Sequence, residues 1–142
     1  MYQEVTNQIE VHVDPEYLAK ESDPERDFYL FAYHITVTNH SEQAVRLIDR
    51  HWIVMNGDGI REDVEGSGVI GLQPHIEAGE SFTYTSACPL DTPTGNMRGS
   101  FGMVSDDDTT FRAKIPLFFL RHPNTFLQTS IKPSTSPNDF RV

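Results

Sequence analysis

The sequence predicts an all-β protein in which about seven short strands form a sandwich of two antiparallel sheets. Two observations support this class: apolar and polar residues alternate with a period of two along several segments, and turn-forming residues separate the segments at near-regular intervals. No amphipathic pattern of ten or more residues indicates a helix. The length of 142 residues suits one domain, which we place in residues 1–120.

The first half of the chain contains the clearest strand pattern. Alternation from Ile9 to Val13 predicts a strand that ends at Asp14-Pro15, and the charged segment 15–26 is predicted to be a loop, with or without a short helical turn. The run Phe28–Asn39 predicts a long strand with two faces. One face is apolar throughout and contains Tyr29, Phe31, Tyr33, Ile35 and Val37. The other begins apolar, at Phe28, Leu30 and Ala32, and becomes polar along the strand.

The next predicted strand, from Val45 to Met55, changes phase in its middle. Leu47 and Ile48 are adjacent apolar residues, which predicts a β-bulge that re-aims the side chains around Arg50. Asn56-Gly57-Asp58-Gly59 has hairpin chemistry, and a polar edge strand is predicted to follow it from Ile60 to Glu65. Alternation predicts three further strands, around 82–88, 97–103 and 111–117.

The C-terminal segment 121–142 has a different composition. It is rich in proline, serine and threonine, with only scattered apolar residues, so we predict an extended or mobile tail. The apolar part of the Phe28 face and this tail offer surfaces for a homodimer.

Composition excludes several functional classes. A net charge of −10 without any basic cluster argues against nucleic-acid binding. No apolar run is long enough for membrane insertion, and the N-terminus lacks the pattern of a signal peptide. A single cysteine, Cys88, forms no intrachain disulfide and fits a reducing compartment. We therefore predict a cytoplasmic protein.

The segment Gly66–Gly71 matches the Gly-x-Gly-x-x-Gly string of dinucleotide-binding folds. That fingerprint requires a helix whose N-terminus faces the pyrophosphate, and here Pro74 and Gly79 leave no room for one. Two interpretations remain. The glycines Gly66, Gly68 and Gly71 either permit positive φ and close packing, or form a nest of N–H groups that binds an anion.

Other polar clusters give weaker signals. Arg50 and His51 precede Trp52 in the suspected bulge, and they either stabilise the fold, with Arg50 pairing an acid and Trp52 in the core, or contact a ligand. The acidic groups Glu62-Asp63-Glu65 and Asp106-Asp107-Asp108 are read as a charged edge and a solvated turn, with divalent-cation binding as the alternative. The six histidines lack metal-ligand spacing, and no nucleophile has a base beside it in sequence. We predict no catalytic residue, no metal site and no cofactor.

The chain closely resembles the bacterial ApaG family over about residues 8 to 120. The resemblance is carried by ordered motifs: Phe31–Asn39, Arg50–Ile53, Val64–Tyr84 through the glycines, Thr85-Ser86, Pro89-Leu90, Gly95, Met97–Phe101 and Ile115–Phe118. One departure is Ala78, where such proteins usually have proline. The tail extends past the usual end of the family.

The resemblance implies an immunoglobulin-like or fibronectin type III-like fold and a link to cobalt resistance and magnesium efflux. It also implies a neighbouring gene for an enzyme that cleaves diadenosine tetraphosphate, and a glycine motif proposed to bind pyrophosphate. Related eukaryotic domains look like interaction modules. We therefore predict a non-enzymatic module that binds an unidentified protein partner. The alternatives are a phosphate-containing small molecule bound at Gly66–Gly71 with Arg50 and His51, and a divalent metal.

Overall fold

The computed structural model describes residues 2–123 and residue 142, and within them nine strands form two antiparallel sheets. The strands are β1 (Tyr2–Thr6), β2 (Ile9–Tyr17), β3 (Tyr29–Asn39), β4 (Val45–Asn56), β5 (Arg61–Ser67), β6 (His75–Ile76), β7 (Ser81–Leu90), β8 (Thr94–Ser105) and β9 (Thr110–Arg121). One sheet has the order β1-β2-β3-β7. The other has the order β5-β4-β8-β9, with β6 also paired to β4. The predicted all-β, immunoglobulin-like antiparallel sandwich is confirmed.

Two strands and one strand end were not predicted correctly. The seven predicted strands are all present, but β1 and the two-residue β6 were missed. The prediction that Pro15 ends its strand was wrong, because β2 continues to Tyr17 and Pro15 pairs with Tyr33. Pairing with β1 stops at Val13, so Pro15 lies where β2 has only one neighbour, a position that tolerates a missing N–H donor. A short 3-10 helix, Pro24–Arg26, lies in the loop that follows.

The apolar face of β3 forms the centre of the core. Its five predicted core residues are at most 1% exposed: Tyr29, Phe31, Tyr33, Ile35 and Val37. Trp52 of the other sheet places its ring 5.1 Å from that of Tyr33 across the sandwich and 5.9 Å from that of Phe118 on its own sheet. Tilted and edge-to-face contacts of this kind add to the stabilisation that comes from burying large rings. The long period-two run therefore predicted the core correctly.

The opposite face of β3 corrects one expectation about assembly. Phe28, Leu30 and Ala32 are only 5%, 2% and 5% exposed, so they do not form an exposed apolar patch for a dimer. The β2–β3 connection folds back on this strand: the Leu18 N–H donates to the Leu30 oxygen, and the Leu30 N–H donates to Ser22 Oγ. The homodimer itself remains a prediction. The tail offered as its second surface lies, for residues 124–141, outside the described residues.

The two sheets meet differently at their two lateral edges. Where β1 faces β9, the Lys114 N–H donates to Thr6 Oγ1, and the Tyr2 ring lies 6.0 Å from the Phe118 ring. Where β7 faces β5, a cavity of about 650 Å³ separates the strands. Within the described residues the sandwich is therefore closed on one side and open on the other, and the open side contains the glycine segment.

Candidate functional site

A β-bulge in β4 decides which side chains face the open side. Ile48 has no partner on β8, because Leu47 pairs with Met103 and Asp49 pairs with Gly102. This extra residue shifts the alternation, so Arg50 follows Leu47 on the inner face, together with Trp52. The predicted bulge and its effect on Arg50 are confirmed.

The glycine segment docks on this bulge. The Ile48 carbonyl oxygen accepts the Gly68 N–H at 2.7 Å and the Gln73 side-chain amide at 2.9 Å. Gly66 and Ser67 belong to β5 and pair with Arg50 and Asp49 of β4. The segment is thus an extension of the β4–β5 hairpin that folds back onto β4, and no helix follows it among the described residues.

A tight turn closes the segment at Val69–Leu72. The Val69 and Leu72 main chains exchange hydrogen bonds of 2.8 and 2.9 Å around Ile70 (φ 44°) and Gly71 (φ 78°). Two central residues with positive φ define a type I′ turn, which favours Asn-Gly. An isoleucine there is a backbone outlier. Ile70 and Leu72 are also 55% and 51% exposed, so the turn presents two apolar side chains to solvent.

The hydrogen bonds of the main-chain N–H and C=O groups in the glycine segment disfavour the anion-nest interpretation. A nest needs free N–H groups that converge on the anion. The N–H groups of Gly68 and Val69 are already bonded to backbone oxygens, and Gly66 and Ser67 lie in the β4–β5 ladder. The carbonyl oxygens of Ser67 and Gly68 instead accept hydrogen bonds from Arg50 Nη1, at 3.2 and 3.0 Å. The segment therefore holds a guanidinium group.

Gly66 allows that guanidinium to lie against the strand, because a Cβ at this position would be 2.7 Å from Arg50 Nη1. The expectation that Arg50 pairs an acid was wrong for the described part of the chain, where no Asp or Glu side chain forms an ion pair with it. Its Nε donates to the main-chain oxygen of Val142 at 3.3 Å. This last contact had no signal in the sequence.

His51 lies on the other face of β4 from Arg50, so the structure does not bring the two together as one site. His51 Nε2 lies 2.9 Å from Asp63 Oδ2, on the outside of the sheet. The Arg61 guanidinium and, after it, the His51 ring hold the pKa of the Asp63 carboxyl well below its usual range. The predicted acidic edge strand is therefore correct, and Asp63 already has two partners there.

The Arg50 cleft, as we name it, consists of two cavities on the open side, of about 650 and 170 Å³, that share Arg50 and Val142. The smaller is lined by Tyr33, Trp52 and Tyr84 as well. Trp52 Nε1 and the Tyr84 hydroxyl are buried without a hydrogen-bond partner in the described part of the chain. Burial raises the pKa of the Tyr33 and Tyr84 phenols far above the usual value, so both stay protonated at neutral pH.

Comparison with known proteins identifies the family of this chain. The model of the ApaG domain family matches residues 19–105. The chain belongs to the ApaG family. A protein named ApaG from Allorhizobium ampelinum is 48% identical over 124 residues, which cover 87% of this chain and 95% of that protein. The ApaG protein of Sinorhizobium fredii is 46% identical over 123 residues, with the same coverage.

A solved structure of a family member has the same fold. The crystal structure of the putative ApaA protein from Bordetella pertussis is 40% identical and aligns with a TM-score of 0.79, covering 87% of this chain and 98% of that one. The names of these ApaG relatives state no enzymatic activity.

The two acidic clusters of this ApaG-family chain lie on an edge strand and in a turn. Within residues 2–123, no group of three or more His, Cys, Asp or Glu side chains could hold a metal ion. Asp106–Asp108 lies in the β8–β9 turn, as predicted, where the Thr109 side chain and N–H lower the pKa of Asp107. The described residues also contain no helix with the length and apolarity needed to cross a membrane.

Cys88 borders the larger cavity, and its thiol is buried. It is 1% exposed, and burial, with a smaller contribution from Glu62, raises its pKa to about 12. We expect native chain to react with iodoacetamide at pH 8 at about a thousandth of the rate of the urea-unfolded chain, since the thiolate is the reactive form. Mass spectrometry of pulse-labelled samples measures both rates. Equal rates would contradict the buried, protonated thiol.

Proposed function

We propose that this ApaG-family chain is a non-catalytic binding module that recognises a protein partner at the open side of its sandwich. The Val69–Leu72 turn carries this proposal. Its Ile70 combines backbone strain with a half-exposed apolar side chain. Neither property stabilises the fold, and strain of this kind is typical of functional surfaces. A protein partner that covers Ile70 and Leu72 would account for both.

The chemistry of the Arg50 cleft supports a binding role over a catalytic one. Catalysis by proton transfer or nucleophilic attack needs a group whose pKa is close to the working pH. The thiol of Cys88 and the phenols of Tyr33 and Tyr84 are all shifted upward, away from neutrality. In this proposal, the link to cobalt resistance and magnesium efflux that the family resemblance implies is indirect and is carried by the partner.

A phosphate-containing ligand is the second candidate, and the inward-facing Arg50 favours it. The guanidinium has no acidic partner in residues 2–123 and borders a cavity large enough for a small molecule. Titration calorimetry with pyrophosphate and with diadenosine tetraphosphate tests this candidate. Submillimolar binding that Arg50→Gln removes would support it, and no heat in either titration would exclude it. The same instrument with Mg²⁺ or Co²⁺ tests the weaker proposal of metal binding.

The substitution Ile70→Asn tests the protein-binding proposal. Asparagine tolerates positive φ and gives the Asn-Gly pair that type I′ turns favour, so we expect the free energy of unfolding to rise by about 1 kcal/mol and the melting temperature by about 3 °C. The same change removes the apolar contact, and we expect loss of the partner. Thermal denaturation measures the change in stability. Affinity capture from a lysate of the cells that produce this protein naturally, quantified by mass spectrometry, measures the loss of the partner.

Val5→Thr is the matched control for capture. Val5 is 57% exposed on β1, at the closed edge of the sandwich, and threonine keeps its branched shape while reducing its apolar surface. We expect this variant to retain every partner that the wild-type chain retains. Equal capture by Ile70→Asn and the wild type would contradict the proposed surface.

A further inference from the structure

The Arg50 cleft already contains a piece of polypeptide. The main-chain oxygen of Val142 accepts the hydrogen bond from Arg50 Nε, and the Val142 side chain packs against the buried core. Val142 borders both cavities of the cleft. A bound peptide makes the same two kinds of contact: its main-chain oxygen accepts a hydrogen bond, and its aliphatic side chain packs against an apolar wall.

We propose that the Arg50 cleft is a binding site for an extended peptide segment and that Val142 is its occupant within the same chain. A partner segment binds by displacing Val142, placing a main-chain oxygen on Arg50 and an aliphatic side chain against the core. This inference rests on the proposed function as a protein-binding module, and it specifies the ligand class and a competing internal ligand.

The two strands that border the cleft suit an extended ligand. β5 and β7 each lie at the end of their sheet, so each has one edge that no strand of the described residues pairs with. Such edges present main-chain groups to which an extended segment can add. Trp52 and Tyr84 are 0% and 7% exposed. Their polar atoms, Trp52 Nε1 and the Tyr84 hydroxyl, have no hydrogen-bond partner within the described residues. Both residues line the cavity that Val142 enters.

Charge favours a peptide over a polyanion. Arg50 Nη1 already donates to two carbonyl oxygens, which leaves the N–H donors of Nε and Nη2 for a ligand oxygen. The larger cavity is bordered by the acidic residues Glu62 and Asp91, whereas Asp63 and Glu65, which also border it, alternate with Glu62 on β5 and direct their side chains to the outer face. This rim repels phosphate groups and attracts a neutral or basic segment.

Peptide binding in trans tests the competition directly. The probe is a fluorescein-labelled peptide with the sequence of residues 135–142, titrated with full-length chain and followed by anisotropy. In Val142→Asp the internal ligand loses the aliphatic side chain that packs against the core and has a charged one in its place, which is costly to bury against apolar walls. We expect this variant to bind the peptide at least about ten-fold more tightly than the wild type, because a tethered competitor acts at a high effective concentration.

Arg50→Gln, combined with Val142→Asp, tests the contact itself. We expect it to lower the affinity at least about ten-fold, whereas Arg112→Gln on the outer face, where Arg112 pairs with Asp49, leaves the affinity unchanged. Trp52, the only tryptophan of the sequence, lines the cleft, and we expect its emission to change on Val142→Asp and to return when peptide is added. Comparison with a peptide whose C-terminus is amidated shows whether Arg50 binds a carbonyl oxygen or a terminal carboxylate.

Equal peptide affinity in the wild type and Val142→Asp, or no binding to either, would overturn the inference, whatever the stability of the Arg50 variant. Displacement of the peptide by submillimolar pyrophosphate would also overturn it and assign the cleft to a phosphate ligand. Failure here is distinguishable from failure of the proposed function. If Ile70→Asn loses a captured partner while the peptide does not bind, the proposed protein-binding function is supported and the peptide site in the Arg50 cleft is excluded.

Discussion

Gly68→Ala is expected to lower the free energy of unfolding by about 3 kcal/mol, from two additive causes. Gly68 has a φ of 62°, where a Cβ alone costs about 1–2 kcal/mol. A Cβ here would also lie 2.1 Å from the Leu72 carbonyl oxygen, which must stay in place because it closes the turn with the Val69 N–H. Urea denaturation, followed by circular dichroism and Trp52 fluorescence, measures the loss.

Gly71→Ala separates the two causes. Gly71 has a similar φ of 78°, but a Cβ there meets no heavy atom within 4 Å. We expect it to cost about 1 kcal/mol, the conformational part alone. The difference between the two variants then measures the close approach of the turn to Gly68. Equal losses would contradict the close packing that we assign to the glycine segment in place of anion binding.

The features predicted correctly from sequence are those that depend on neighbouring residues. The alternation of Phe28–Asn39 identified the core strand because successive side chains in a strand point to opposite faces. Asn56–Gly59 identified the β4–β5 hairpin because its residues tolerate positive φ. The adjacent Leu47 and Ile48 located the bulge, since an inserted residue breaks the period of two.

The features missed depend on distant parts of the chain. Whether Pro15 ends β2 depends on how far β1 extends beside it, which no local pattern shows. The glycine string is compatible with close packing and with an anion site, because composition does not reveal whether N–H or C=O groups face inward. The contact of Val142 with Arg50 joins residues 92 positions apart. The bulge was predicted, and it implied that the adjacent residues Arg50 and His51 face opposite sides of the sheet. The sequence-based prediction nevertheless placed both in one candidate site, and the structure assigns them to different faces.

Gly99→Ala is expected to be more damaging still, with a loss above about 4 kcal/mol or no folded protein. Gly99 lies on β8 opposite Trp52, next to a register shift between β8 and β9. A Cβ would lie 2.0 Å from the His51 carbonyl oxygen and 3.1 Å from the Trp52 Cα, so two central strands would have to separate. Thermal denaturation and the expression of folded protein measure this effect.

Gly102→Ala is the control on the same strand. Its Cβ would first meet the carboxylate of Asp49 at 2.6 Å, and that group ends a half-exposed side chain that can rotate away. We expect a cost of about 1 kcal/mol. If Gly99→Ala folded as stably as Gly102→Ala, the strand spacing at Trp52 would be adjustable. The strands that form the inner wall of the Arg50 cleft would then be able to shift. Trp52 Nε1 and the Tyr84 hydroxyl would gain hydrogen-bond partners through that shift and would not need a ligand.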